Sequence, residues 1–90
     1  MLTNEEIEYF TRSKIALLVL NKINERTYMA EVLSSEIKKH RESISRIFKR
    51  LTELGFAECL KPNSSNFRPY KITRKGKTKL KEIQEFFKRK

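Results

Sequence analysis

Residues 38–55 read KKHRESISRIFKRLTELG, and the reading of this stretch decides the fold. Ile44, Ile47, Leu51 and Leu54 recur at spacings of three and four, which places them on one edge of a 3.6-residue helix. The far side of the same wheel carries Glu42, Ser45, Arg46 and Lys49, with Ser43 and Arg50 on its flank. A helix held by one apolar edge, with short hydroxyls and long cations outward, suits the DNA major groove, where base edges offer acceptors to Arg and mixed partners to Ser. The competing reading is an ordinary solvated face. Against it, the outward positions carry little negative charge, where a solvated helix interleaves Glu with Lys at i and i+4. Gly55 then stands just past the helix end, the position that favours glycine, and hands the chain to Phe56.

Upstream, Lys38, Lys39 and His40 leave room only for a tight turn after a brief helix over residues 30–37. In that helix Val32 or Leu33, with Ile37, point inward, and Glu31, Ser34, Ser35 and Glu36 point outward. The pair is a helix-turn-helix by length and polarity. Residues 27–29 are β-prone and predict a minor strand. Before them, residues 14–24 repeat Ile15, Leu18, Val19 and Ile23 helically, and Leu17 and Leu20 widen the stripe, so this helix reads as the core. Residues 3–6, TNEE, have the form of a capping box and predict a helix start with Ile7 and Phe10 on its apolar edge. Residues 11–13 interrupt or re-cap it, and the segment before residue 14 reads as an arm.

Downstream, residues 56–61 and 67–72 read as two antiparallel strands joined by Pro62-Asn63-Ser64-Ser65-Asn66, a turn-rich tip. Pro69 marks a sheet edge or a bulge, because it cannot donate to a ladder. Thr73 caps a closing helix over about residues 74–89, with Leu80, Ile83 and Phe87 in a stripe and Phe86 beside them. That stripe exceeds what a small core covers, so Leu80, Ile83 and Phe87 are expected to meet Ile7 and Phe10 in a dimer contact; the alternative is that the helix covers its own domain. The run Arg74, Lys75, Lys77, Lys79, Lys81 reads as solvated charge in its later members, with phosphate tracking as the alternative.

Ninety residues make one domain, and a fold of this size buries only about 60% of what the unfolded chain exposes. With a single Cys and no disulfide, tight helix packing or a second subunit must supply the remainder, and dimerisation is expected on energetic grounds. The net charge of +10 is uneven: residues 1–36 hold four cations and six carboxylates, net −2, whereas residues 37–90 hold 17 cations and five carboxylates, net +12. The basic half attracts polyanions. The amino terminus, MLTNEEIEYF, is acidic and has no secretory character, and the longest apolar run, residues 15–20, is far short of a membrane span, so the chain is expected to be cytoplasmic. One His and one Cys cannot form a multi-ligand metal site, and no cofactor is expected. Nothing resembles a nucleophile elbow, a phosphate-cradling glycine loop or a paired-carboxylate site, so enzymatic chemistry is not expected.

The order of elements predicts a mainly α fold with a small antiparallel β-hairpin, an α+β winged helix-turn-helix, organised as an arm (1–13), a helix-turn-helix (30–55), a wing (56–72) and a closing helix (73–90). The residues Leu33-Ser34-Ser35-Glu36-Ile37, His40-Arg41-Glu42-Ser43-Ile44-Ser45-Arg46 and Leu51-Thr52-Glu53-Leu54-Gly55-Phe56 resemble the core signature of MarR-like regulators. Ile72-Thr73-Arg74-Lys75-Gly76 resembles the element after that family's wing, and the similarity covers residues 15–80. Lys38 stands where the family's turn has Gly, Lys39 at a usually apolar position, and the short chain looks more like compact archaeal winged-helix regulators. The resemblance implies double-stranded DNA as partner, a homodimer, DNA contacts from Arg41, Glu42, Ser43, Ser45 and Arg46, and a wing loop, residues 62–68, over the backbone or minor groove.

Taken singly, Arg46 suits a guanine edge or a phosphate, and Arg41 and Lys49 suit phosphate. Ser43 and Ser45 touch bases or satisfy helix amides, and Glu42 accepts from a cytosine amino group or repels a misplaced phosphate. Arg68 is expected at the minor groove or backbone, with Lys61 and Lys71 adding nonspecific attraction. Lys38, Lys39, His40 and Arg50 complete the expected basic surface. His40 reads as a polar turn residue or phosphate contact rather than a proton switch, and Cys59 as a buried small apolar residue. The alternative function is a winged-helix module for protein or RNA, or a nonspecific architectural chromatin protein. The outer face of the central helix has no aromatic for stacking single-stranded RNA, which favours duplex DNA.

Overall fold

Thr3 sets the first helix: its hydroxyl accepts the Glu6 amide at 3.1 Å, and the Glu6 carboxylate accepts the Thr3 amide at 2.9 Å, a complete capping box. The computed structural model describes residues 1–64 and 67–88. Their order is α1 (Asn4–Arg12), α2 (Lys14–Glu25), α3 (Ala30–Ile37), α4 (Arg41–Glu53), β1 (Ala57–Cys59), β2 (Tyr70–Ile72) and α5 (Arg74–Lys88). Ser13 both ends α1 and starts α2, since its amide donates to the Tyr9 carbonyl (2.9 Å) and its hydroxyl accepts the Ala16 amide (3.3 Å).

The segment before residue 14 is no detached arm. Phe10 is 1% exposed and its ring stacks on Phe56, centroids 6.1 Å apart and nearly parallel. Leu80 and Ile83 are buried as well. These three therefore line the protomer's own core and have no surface left for a partner, a correction to the expected dimer contact; Ile7 and Phe87 are only half-buried. Within α2 the buried residues are Ala16, Val19, Leu20 and Ile23, so the stripe is turned by about one residue from the expected one and Leu18 is left exposed.

In α3, Leu33 is the inward residue and Val32 faces out at 46% exposure. Ser34, expected outside, is buried, its hydroxyl donating to the Glu31 carbonyl at 2.9 Å. Lys38 ends the helix with φ 56° and ψ 50°, the left-handed conformation, and the Lys39 amide returns to the Ser34 carbonyl at 2.9 Å. The turn thus holds a backbone shape that favours glycine without having one. Lys38→Gly should raise stability by about 0.5–1 kcal/mol, the left-handed penalty less the added freedom of the unfolded chain; urea unfolding would read it, and a drop would mean that the lysine stem packs.

On α4, Ile44, Ile47 and Leu51 are buried as read, but so is Phe48, which stacks on Tyr70 with centroids 4.4 Å apart. β1 and β2 pair antiparallel with Ala57 opposite Ile72 and Cys59 opposite Tyr70, shorter strands than the sequence suggests. Beyond them the Leu60 amide donates to the Pro69 carbonyl at 2.8 Å, so Pro69 contributes as an acceptor. The minor strand is a single bridge: Tyr28 and Tyr70 exchange backbone hydrogen bonds of 3.0 and 2.7 Å. Ser65 and Asn66 of the expected tip, and Arg89 and Lys90 at the end of the closing helix, lie outside the described residues.

The root of the wing is fastened by one side chain. The Thr73 hydroxyl donates to the Gly55 carbonyl at 2.6 Å and accepts the Gly76 amide at 2.9 Å, so it caps α5 and ties it to the end of α4. No helix among the described residues is long and apolar enough to cross a membrane.

Candidate nucleic-acid interface

The outer face of α4 carries the candidate site. His40 precedes the helix in extended conformation and makes no side-chain cap, so its imidazole stays exposed at the turn. Arg41, Glu42, Ser45, Arg46 and Lys49 are exposed and Ser43 is half-buried. The structure gathers His40, Arg41, Glu42, Ser43, Ser45 and Arg46 around one shallow concavity on the outer face. Among the described residues, no carboxylate pairs with Lys38, Lys39, Arg41, Arg46 or Lys49. These cations keep their charge available to an outside partner.

Beside this face the wing forms the other wall of a groove of about 680 Å³, which Arg41, Ser45 and Lys49 line from α4 and Cys59, Arg68 and Tyr70 from the wing. The Arg68 guanidinium donates to the Pro62 carbonyl at 3.3 Å, which holds it at the wing. Lys61 lies over the Phe67 ring, 4.9 Å from its centroid, and stays exposed. Burial raises the Tyr70 phenol above its ordinary value, with Cys59 adding to the effect, so the hydroxyl stays a neutral donor. Cys59 is half-buried and lines this groove, rather than sitting fully in the core.

Two expected members are engaged elsewhere. Arg50 bridges to Glu5 at 3.2 Å and to Glu53 at 3.4 Å and lies near the Tyr9 ring, so it fastens α4 to α1. Lys71 pairs across the strands with Glu58 at 3.2 Å. Neither contributes a free charge to the face of α4.

A network that the sequence did not reveal holds the helix-turn-helix in place. Glu36 accepts from the Tyr28 hydroxyl at 2.6 Å and pairs with Lys22 at 3.3 Å and Arg26 at 3.2 Å, and Arg26 covers the Tyr28 ring. The Tyr28 hydroxyl first, then Lys22 and Arg26, outweigh desolvation and hold the Glu36 carboxyl below its ordinary range. The only local signal is a pair of cations four apart, Lys22 in the last turn of α2 and Arg26 just past its end. No group of three or more His, Cys, Asp or Glu among the described residues is placed to hold a metal ion.

A helix-turn-helix whose second helix offers an unpaired cationic face beside a two-stranded wing defines the winged-helix class. The fold is that of MarR: a solved structure titled "Multiple Antibiotic Resistance Repressor, MarR" superposes with a TM-score of 0.71 at 20% identity, over 88% of this chain and 61% of that one. A mutant MarR from E. coli gives 0.73 at 20% identity, over 87% and 61%. The chain therefore spans about three fifths of the length of these structures. No protein-family model matches the sequence, and no curated protein does.

Proposed function

We propose that this chain is a sequence-specific regulator of transcription that binds double-stranded DNA, with α4 in the major groove and the wing on the backbone or minor groove, and that it acts by binding without chemistry. The observation that carries the reading is the contrast in charge pairing: Arg50 and Lys71 are neutralised within the fold, while the cations on the outer face of α4 are not. In this reading Arg46 reaches a guanine edge, Arg41, Lys49, Lys38, Lys39 and His40 meet phosphates, and Ser43, Ser45 and Glu42 sit within reach of bases. Arg68 and Lys61 carry the wing contact. The partner subunit docks on the apolar groove that Leu2, Ile7 and Phe86 line between α1 and α5, with Phe87 nearby, and the two recognition helices read half-sites about 34 Å apart.

Selection from a random-duplex pool at near-physiological salt, with Arg46→Ala and Arg68→Ala run beside the parent, tests this. A near-palindrome should emerge. Arg46→Ala should cost about 1–3 kcal/mol and relax preference at one base pair, whereas Arg68→Ala should weaken every duplex and flatten the salt dependence by about one unit. Retention without enrichment would reduce the protein to a basic module acting by charge alone, and no retention would overturn the DNA reading.

A further inference from the structure

A second cationic surface lies on α5. Arg74, Lys75, Lys77 and Lys81 are exposed, and no carboxylate pairs with any of them among the described residues. Lys79, in the middle of the same run, behaves otherwise and turns inward to Glu6 at 3.2 Å. Because α5 buries Gly76, Leu80 and Ile83, its residues 74, 77 and 81 follow one another at spacings of three and four along the outer side.

This placement works against the helix itself. The positive end of a helix dipole favours carboxylates, as α1 shows with Glu5 and Glu6 in its first turn, yet the first turn of α5 has no acidic residue and carries Arg74 and Lys75. Mutual repulsion adds to the cost, and a polyanion laid along the helix would turn both terms favourable.

The surface is separate from the face of α4. Lys75 lies 5.9 Å from the Phe56 ring centroid, beside Gly55 and therefore at the carboxyl end of α4. Arg41 stands at the other end of that 13-residue helix, about 20 Å away along its axis.

We propose that Arg74, Lys77 and Lys81 form a second site for the phosphate backbone of duplex DNA, so that a protein engaged through α4 captures a second duplex through α5. The distance from Arg74 to Lys81, about 10 Å along the helix, matches about three phosphate-to-phosphate spacings of one strand, ~3.4 Å each along the duplex axis. The inference rests on the DNA reading of α4 but names a different surface and a different outcome.

The test uses the full chain, an immobilised duplex carrying the whole selected near-palindrome, which occupies both α4 faces of a dimer, and a free fluorescent duplex as the second ligand. The parent should retain the fluorescent duplex at low salt and release it steeply as salt rises. The triple variant Arg74→Gln/Lys77→Gln/Lys81→Gln should lose that capture by about tenfold or more while holding the immobilised duplex within about threefold of the parent. Its thermal midpoint should be equal or higher, because the repulsion is relieved, which separates lost binding from lost folding. Undiminished capture by the triple variant would overturn the proposal, since with both α4 faces occupied the second duplex would then be held by a surface other than that of Arg74, Lys77 and Lys81. A parent that binds one duplex and captures no second would overturn it and leave the α4 reading intact; a parent that binds no duplex would overturn both.

Discussion

Gly76→Ala is expected to destabilise the protein by about 3 kcal/mol and to lower its thermal midpoint by roughly 15 °C, although alanine is the better helix former by about 1 kcal/mol. A Cβ at this position would lie 2.1 Å from the Phe56 carbonyl oxygen and 2.9 Å from its carbonyl carbon. Both are backbone atoms, so no rotamer change relieves the clash. The helix must lift away from the end of α4, and with it go the bonds from Thr73 to Gly55 and Gly76. Lys81→Ala, on the exposed side of the same helix, is the control and should change stability by less than about 0.5 kcal/mol. A Gly76→Ala protein as stable as its parent would show that α5 does not need this close approach.

Lys79→Met should cost about 3 kcal/mol at neutral pH, because it leaves a buried carboxylate without its cation. Glu6 is 6% exposed, and the Lys79 ammonium lies 3.2 Å from it and also donates to the Met1 carbonyl. Burial alone would raise the Glu6 carboxyl, but the Thr3 amide and Lys79 together outweigh it and hold it low. A carboxyl held below its unfolded value, about 4.3, contributes stability above that pH and loses it as pH falls through the folded value. In the variant, burial is opposed only by the Thr3 amide and the more distant charge of Lys75, so the carboxyl protonates more readily and its burial costs less in acid. The gap between parent and variant should therefore narrow in urea unfolding at pH 3.5 relative to pH 7. Equal gaps at both would assign the loss to the lysine stem rather than to the charge.

Helix positions and caps were legible because their signals are local. The spacing of Ile44, Ile47 and Leu51, the capping box at Thr3 and Thr73 before α5 involve residues within one or two turns of each other. What escaped depends on partners far along the chain. Phe48 sits one residue around the wheel from Ile47 and is buried because Tyr70 arrives from the wing to cover it. Phe10 reads as the edge of an arm until Phe56 stacks on it. At the candidate site the residue types of α4 gave the outer face correctly, but pattern alone could not tell a free cation from a paired one. Arg46 and Arg50 each have a glutamate within one helical turn, Glu42 and Glu53, so they look alike in sequence, yet only Arg50 is paired, with Glu53 and with Glu5 brought up by α1. Lys79 likewise reads as one more cation in a run until α1 brings Glu6 beside it.

The Thr73 fastening has a consequence for how this domain can vary. With the Thr73 hydroxyl donating to the Gly55 carbonyl, the chain between Gly55 and Thr73 is a loop closed at its neck. Residues inserted between Ser64 and Phe67 would lengthen only that loop, and doubling its length adds only about 0.6 kcal/mol of closure entropy. The reach of the wing and the aim of α4 are thus independently adjustable: one is set by how much chain lies beyond the neck, the other by the bonds that make the neck.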